Sequence, residues 1–429
     1  MNSIRKTCAA VFTAITFAMP AYAIDFSANS RLSYLGQQIV PTGATFNGTT
    51  IGGLSSLDYN KSTAQYFAIS DDRSNINPAR FYELSLDLDK FQRSSTPGQD
   101  GVSFNTVTTI QKPGGGVFAT NTVDPEGLRF DPTRNKIYWS NEGQRSGNGF
   151  QNPTVREMKI DGSQVRDFAV PDRYHPSGSV AGLTAGDKGV YNNLAFESLA
   201  ISKDGKTLYT ATENGLTQDS LPSSVSNGSR SRILSFDISS GQSRAEYVYD
   251  VSPVAIAPVP ASQFATNGLT DFIVVGDRQF ITIERSFATG AQTPGTPVTS
   301  NTIRLFYADA RNATDVSDID SIVGQNINAV TKTLLLDLSD LKHDDGTPLA
   351  LDNIEGITFG PKVNDKETLI LVSDNNFNNT QFTQFVALQI TPVPEPETNA
   401  MLLAGLALVI FGRRKLLAST VLTIGPATL

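Results

Sequence analysis

The sequence predicts an all-β fold, a β-propeller built of four-stranded blades. A hairpin motif recurs five times along the chain. The composition suits a loop-rich β protein, and an unattached strand near the N-terminus stands ready to close a ring. Of the 429 residues, 39% are hydrophobic and 18% charged, with 34 Gly and 22 Pro. That balance allows a large packed core with many turns and argues against a disordered or helical chain.

Each repeat joins a small residue, an apolar residue, a short strand, a turn and a second strand that ends in an acid or amide. The segments are GLSSLDYNKSTAQYFAISDD from Gly53, EGLRFDPTRNKIYWSNEG from Glu126, ESLAISKDGKTLYTATEN from Glu197, GLTDFIVVGDRQFITIER from Gly268, and EGITFGPKVNDKETLILVSDNN from Glu355. Alternating β-branched and aromatic residues mark the strands, and Asp131-Pro132, Asp204-Gly205 and Gly360-Pro361 mark turns between them. Two more strands follow each of the first four hairpins: 80–87 with 102–110, 154–160 with 164–170, 232–238 with 244–249, and 302–307 with 333–338. The fifth hairpin is followed only by 382–390, so the free strand 31–40 is expected to complete that unit and close the ring. Radial four-stranded sheets protect one another's edges, which is the propeller solution. Five blades are detectable and a degenerate sixth is possible around residues 254–264. A large β-sandwich would not explain the recurrence.

The two ends read as addresses. Arg5 and Lys6 precede an apolar stretch, Cys8 to Met19, and Ala21-Tyr22-Ala23 offers small residues at −3 and −1. This is the layout of a secretory signal, residues 1–23, with cleavage after Ala23. The propeller domain is expected over 24–391. At the far end, Pro394-Glu395-Pro396, an apolar segment from Ala400 to Phe411, and the basic cluster Arg413-Arg414-Lys415 resemble the PEP-CTERM sorting signal of Gram-negative bacteria, spanning 392–415. The resemblance implies cleavage near Pro394 to Pro396 by an exosortase-type enzyme, after transient anchoring in the inner membrane, and delivery to the cell surface or beyond. The apolar segment is short for a bilayer, where about 20 residues are needed. It reads as a short transmembrane helix held by the basic cluster on the cytoplasmic side. The tail 416–429 is longer than such signals usually carry.

Charge and rare residues exclude several function classes. The chain has 34 basic and 42 acidic side chains. Setting aside Arg5, Lys6, Arg413, Arg414, Lys415 and Glu397 leaves 29 against 41 in the expected mature body. A body this acidic repels nucleic acid and attracts cations. Cys8, the sole cysteine, lies in the signal, so thiol chemistry and disulfides are excluded from the mature body. His175 and His343 are the only histidines, too few for a zinc site of the usual kind. Both read as surface loop residues. No Gly-x-Ser-x-Gly elbow occurs, which speaks against a serine hydrolase. The cluster Asp315, Asp318 and Asp320 lacks the spacing of a calcium loop and reads as a helix start or turn. Gly114 to Gly116 and the Gly147, Gly149 pair read as loop insertions.

In a propeller the start of the first strand and the end of the second meet at one mouth of the central channel. The acids of this sequence stand at those positions. First strands open with Glu126, Glu197 and Glu355, and second strands close with Asp71, Asn141, Glu213, Glu284 and Asp374. Asp72, Glu142, Asn214, Arg285 and Asn375 follow them. Converging carboxylates repel unless protonated, paired or bridged by a cation, and oxygen-only donors suit Ca²⁺. The alternative is that they are solvated turn residues or pair with Arg73, Arg129, Arg278 and Arg285.

GLSSLDY with FAISDDR, DPEGLRFDP, ESLAISKDGKTLYTATENG with SRILSFDI, and DNIEGITFGP with LILVSDNN resemble the phytase-like family, whose description is an esterase-like activity of phytase. The resemblance runs from about Gly53 to Ile390 and implies a hydrolase of phosphoesters or related esters. In that reading a Ca²⁺-dependent site lies at the mouth. Arg73 and Arg285 bind substrate, and Glu126, Glu197 or Glu213 serves as general base. A lactonase using the same ion is a variant of it. The other reading is a non-catalytic propeller, displayed at the surface, that binds polysaccharide or protein in the extracellular matrix.

Overall fold

The computed structural model describes residues 26–391 and 393. The signal residues around Ala23, the sorting residues Pro394, Glu395, Pro396, Arg413 and Arg414, and the apolar segment between them lie outside the described residues. Among the described residues no helix is long and apolar enough to cross a membrane.

Five four-stranded antiparallel sheets make the propeller. Blade 1 runs outward through Leu54–Asn60, Gln65–Ser70, Arg80–Leu86 and Val102–Thr109. Blade 2 is Pro125–Asp131, Lys136–Asn141, Thr154–Lys159 and Gln164–Asp167. Blade 3 is Phe196–Ile201, Thr207–Thr212, Ser229–Asp237 and Ser243–Val251. Blade 4 is Ala265–Gly276, Gln279–Ala288, Asn301–Asp309 and Thr331–Asp337. Blade 5 takes Asn353–Phe359, Thr368–Asp374 and Thr383–Thr391 from the C-terminal end and Arg31–Val40 from the N-terminal end.

That last pairing closes the ring. Arg31 lies opposite Thr391 and Val40 opposite Thr383, with one irregularity between Tyr34 and Gly36. The first strands of successive blades touch in turn, and the fifth returns to the first. Apolar residues fill the gaps between blades. Tyr66, Leu57 and Ala68 of blade 1 meet Ile370, Val372 and Phe385 of blade 5, while Ile281, Ile283 and Leu305 of blade 4 meet Ile354, Leu369 and Val386 on the other side. Each such buried Leu, Ile, Val or Phe contributes about 1.5–3 kcal/mol, and each blade's faces are covered mainly by its neighbours. No sixth blade forms among the described residues. Pro258 and Pro260 deprive residues 254–264 of strand donors, and the segment runs as turns with Val254 packed on Ala288 and Ala291.

The axis is plugged below the mouth. Arg129, on the first strand of blade 2, donates to both carboxylate oxygens of Asp271 in blade 4 at 2.9 and 2.8 Å. It also donates to the carbonyls of Leu57, Phe272 and Ile357, at 3.2, 3.0 and 3.2 Å, so one guanidinium ties four blades together. Asp58 accepts from the Phe130 amide at 2.8 Å and from Thr358 at 3.1 Å beside it. A cavity of about 300 Å³ below this plug shares no lining residue with the one above.

One smaller expectation changes and another is narrowed. His343 is buried rather than exposed, because the turn that carries it folds back with its amide bonded to the Thr347 carbonyl at 2.9 Å. Asp315 takes the turn alternative of its expectation: its carboxylate accepts from the Ser317 amide at 3.0 Å and from the Glu246 amide at 3.1 Å.

Candidate functional site

A break in strand pairing aims the glutamates. Near the start of each first strand the register slips: between Leu54 and Ser56, Pro125 and Leu128, Phe196 and Ser198, and Ile354 and Gly356. An unpaired extra residue interrupts the alternation and turns its side chain aside. The residues so placed include Ser55, Glu126, Glu197 and Glu355, and the three glutamates point into the mouth. In blade 4 the same slip falls between Leu269 and Asp271, which puts Thr270 there instead. Glycine after glutamate has a packing reason. A Cβ on Gly127 would stand 2.9 Å from the Leu199 amide nitrogen, and one on Gly356 would stand 2.9 Å from the Ser56 Cα.

The second strands end on the same opening. Asp71, Glu213 and Asp374 line it directly, and Arg285 holds the equivalent place in blade 4. The cavity has a volume of about 870 Å³. Eight carboxylates line it, those of Asp71, Asp124, Glu126, Glu197, Glu213, Asp352, Glu355 and Asp374, against the guanidiniums of Arg73 and Arg285. Arg73 pairs with Asp124 and lies 3.8 Å from Glu142. Arg285 spans Glu355 at 3.0 Å and Glu213 at 3.4 Å. Asn353 donates to Glu355 at 2.9 Å and to Asp374 at 3.2 Å. Asp352 is anchored separately by Gln381 and the Phe382 amide.

Two expected ligands are elsewhere. Glu284 pairs opposite Leu269, one residue short of the mouth position, and a slip of one residue sends a strand side chain to the opposite face. There it accepts from Tyr249 at 2.9 Å and pairs with Lys332. Asn141 accepts from the Asp124 amide at 2.8 Å, so it positions a lining residue without lining the cavity itself. Conversely, Asp124 and Glu142 belong to the site and had no assigned role. Asp124 precedes the strand, and the Pro-Glu-Gly after it was the available signal. Glu142 sits just behind the wall, 1% exposed, with Oε1 accepting from the Ala195 amide at 2.8 Å.

The family model for phytase-like proteins, described as esterase-like activity of phytase, matches residues 49–377. The chain belongs to the phytase-like family. A second match identifies residues 392–415 as a PEP-CTERM protein-sorting motif, so this phytase-like protein carries a signal for export and sorting to the cell surface. No curated protein matches it. Solved structures similar to it include a hydrazine synthase of Kuenenia stuttgartiensis, at 12% identity over 82% of this chain and 99% of that one, TM-score 0.32. A Dos1 propeller is similar at 9% identity over 80% and 68%, TM-score 0.28. An endo-1,4-beta-xylanase of Bacteroides thetaiotaomicron is similar at 8% identity over 78% and 90%, TM-score 0.40.

The mouth of the phytase-like propeller is electrostatically loaded. Burial, then the charge of Glu355, raises Asp71 to about 7. Burial raises Glu213 to about 7 although Arg285 opposes it. Burial and then Glu197 push Glu126 well above the carboxylate range; burial and then Glu142 do the same to Asp124 and Glu197. Asp374 is raised well above it by burial and by Asp71. Burial works against the charge on Arg285, but Glu213 and Glu355 more than offset it and keep the guanidinium charged. Such a site favours either held protons or a bound cation.

The donors fit a hard cation. Asp124, Glu126 and Glu142 each offer one oxygen, all within 4.8 Å of one another. Asp71 Oδ1 and Glu142 Oε2 are buried without a hydrogen-bond partner, and an unsatisfied buried carboxylate oxygen is costly unless a ligand takes it up. Oxygen-only donors in excess of local positive charge are the chemistry of a Ca²⁺ site.

Proposed function

We propose that this phytase-like protein is an exported, Ca²⁺-dependent hydrolase of phosphoesters or related esters, with its site at the mouth of the propeller. The observation that carries the reading is the excess of eight lining carboxylates over two guanidiniums in one closed-ended cavity. Asp124, Glu126 and Glu142 would hold the ion, with Glu197, Asp71, Glu355 and Asp374 completing the acidic ring. When bound, the ion would neutralise the ester's phosphoryl oxygens and polarise the bond to be broken.

The chain's own residues have distinct parts. Arg285 Nε is buried without a hydrogen-bond partner, so it keeps one donor for a substrate oxygen while its Nη2 stays with Glu213 and Glu355. Glu213, raised to about 7, takes and releases a proton near neutral pH and serves as general base on water beside that oxygen. Glu126 and Glu197 are the other candidate bases. Arg73 is held by Asp124 and orients the near wall.

Phosphate release from nitrophenyl phosphate, with Ca²⁺ and with chelator, is the direct assay. Ca²⁺-dependent turnover that disappears when Glu126, Glu197 and Glu355 are together replaced by Gln supports the reading. Equal rates in the parent and the triple variant remove it.

One observation favours a second reading. The sorting motif at 392–415 delivers the protein to the cell surface, where a propeller that binds polysaccharide or matrix protein needs no turnover. Saturable, Ca²⁺-dependent binding to purified extracellular polysaccharide, with no ester cleaved, would select it. In either case the route includes transient inner-membrane anchoring and cleavage near Pro394 to Pro396 by an exosortase-type enzyme, which the mass of the exported chain tests.

A further inference from the structure

Blade 4 departs from the other four at the mouth. Its two inner strands, Ala265–Gly276 and Gln279–Ala288, have 12 and 10 residues, where those of the other blades have 6 or 7. Most of the excess lies at the mouth end. Residues 265–268 precede the register slip by four positions more than blades 2 and 3 allow, and 286–288 extend past Arg285. Four residues of strand rise about 13 Å, so this hairpin stands as a wall above the acidic ring on one side only.

The wall's inward face carries a run of apolar side chains beside the polar Thr266. Phe287 is two residues beyond Arg285 on the same strand and therefore shares its face. Phe264 lies beside it, with ring centroids 6.2 Å apart. Phe264 is 64% exposed and Val298 49%, and both line the cavity with Phe287, Ala265 and Pro222. The cavity thus joins an acidic floor with one available guanidinium donor to a side wall on which Phe264, Phe287 and Val298 form an apolar patch beside Thr266, Thr299 and Asn301.

The geometry points to a monoester substrate with a single charged head and an aromatic or alkyl group, the head at Arg285 and the apolar group against Phe264 and Phe287. A polyphosphorylated sugar or inositol fits less well, because several phosphates would meet eight lining carboxylates with only two guanidiniums to receive them. This inference rests on the hydrolase reading for its head group, and its test separates the two.

Naphthylmethylphosphonate and methylphosphonate, neither hydrolysable, are titrated calorimetrically into the Ca²⁺-loaded mature chain and into its Phe264→Ser and Phe287→Ser variants. Naphthyl phosphate, glycerol phosphate and phytate are then compared as substrates. The naphthyl phosphonate is expected to bind about tenfold more tightly than the methyl one, as partial burial of a fused ring gives. Either variant should erase that advantage, and KM for naphthyl phosphate should rise while that for glycerol phosphate stays fixed. Equal binding of the two phosphonates, or naphthyl binding indifferent to both substitutions, overturns the inference even where hydrolysis occurs. Tight naphthyl binding without hydrolysis of any ester upholds the wall and rejects the hydrolase.

Discussion

Raising the pH in the presence of a chelator should destabilise this protein over a range in which most proteins are indifferent. Glu213 moves from its usual 4.5 to about 7, and Asp71 from 3.8 to about 7, burial being the first cause for each. A carboxyl whose folded pKa lies above its unfolded one keeps its proton longer in the folded state. Its folded state is therefore not penalised below the unfolded pKa, and stability falls as pH climbs toward the folded pKa. The interval from 4.5 to about 7 corresponds to about 3 kcal/mol for Glu213, at 1.36 kcal/mol per pH unit. The acids share protons, so their effects overlap, and one such contribution sets the scale. For a domain this large, 3 kcal/mol lowers the melting midpoint by about 4 °C. Scanning calorimetry of the chelated protein at about pH 5 and about pH 8 reads the difference directly, and millimolar Ca²⁺ should abolish it by favouring the ionised acids. A midpoint that rises with pH in chelator, or one that Ca²⁺ leaves unmoved, refutes the reasoning.

Three further outcomes follow from the fold. Arg129→Met leaves the buried Asp271 carboxylate unpaired and should cost about 3–5 kcal/mol in urea unfolding; a loss below about 1 kcal/mol would mean the axial plug holds nothing together. Deleting residues 31–40 exposes the edge of Thr383–Thr391, so cooperative unfolding should disappear and dye binding to exposed apolar surface should rise; an unchanged calorimetric transition would contradict closure by that strand. Gly127→Ala drives a methyl against the backbone of Ser198 and Leu199, costs about 1–3 kcal/mol, and should weaken Ca²⁺ binding by displacing Glu126 and Glu197 together. An affinity equal to the parent's would show that the close packing does not position the acids.

The fold was legible because the repeat and the alternation agree. Five hairpins and the N-terminal closing strand were readable from residue pattern alone, and 31–40 forms the outer strand of blade 5 as expected. Strand ends moved by one to three residues, as where 232–238 extends to Ser229–Asp237. The site was legible by position and blurred by register. Glu126, Glu197 and Glu355 open their strands visibly, but the bulges that turn them inward leave no composition signal. Glu284 and Arg285 stand side by side, and only the pairing with Leu269 and Gly268 decides which faces the mouth. Asp124 was hidden because it lies outside the strand repeat, in the segment leading into Pro125.

The hydrolase proposed for the mouth depends on a cation displacing protons from buried carboxylates. Titrating Ca²⁺ into the chelated mature chain at neutral pH, in buffers of different ionisation enthalpy, measures binding and proton release together. The parent should bind saturably and release protons, and Glu126→Gln combined with Glu142→Gln should do neither. Absence of binding heat in the parent, or binding with no proton released, would contradict the account.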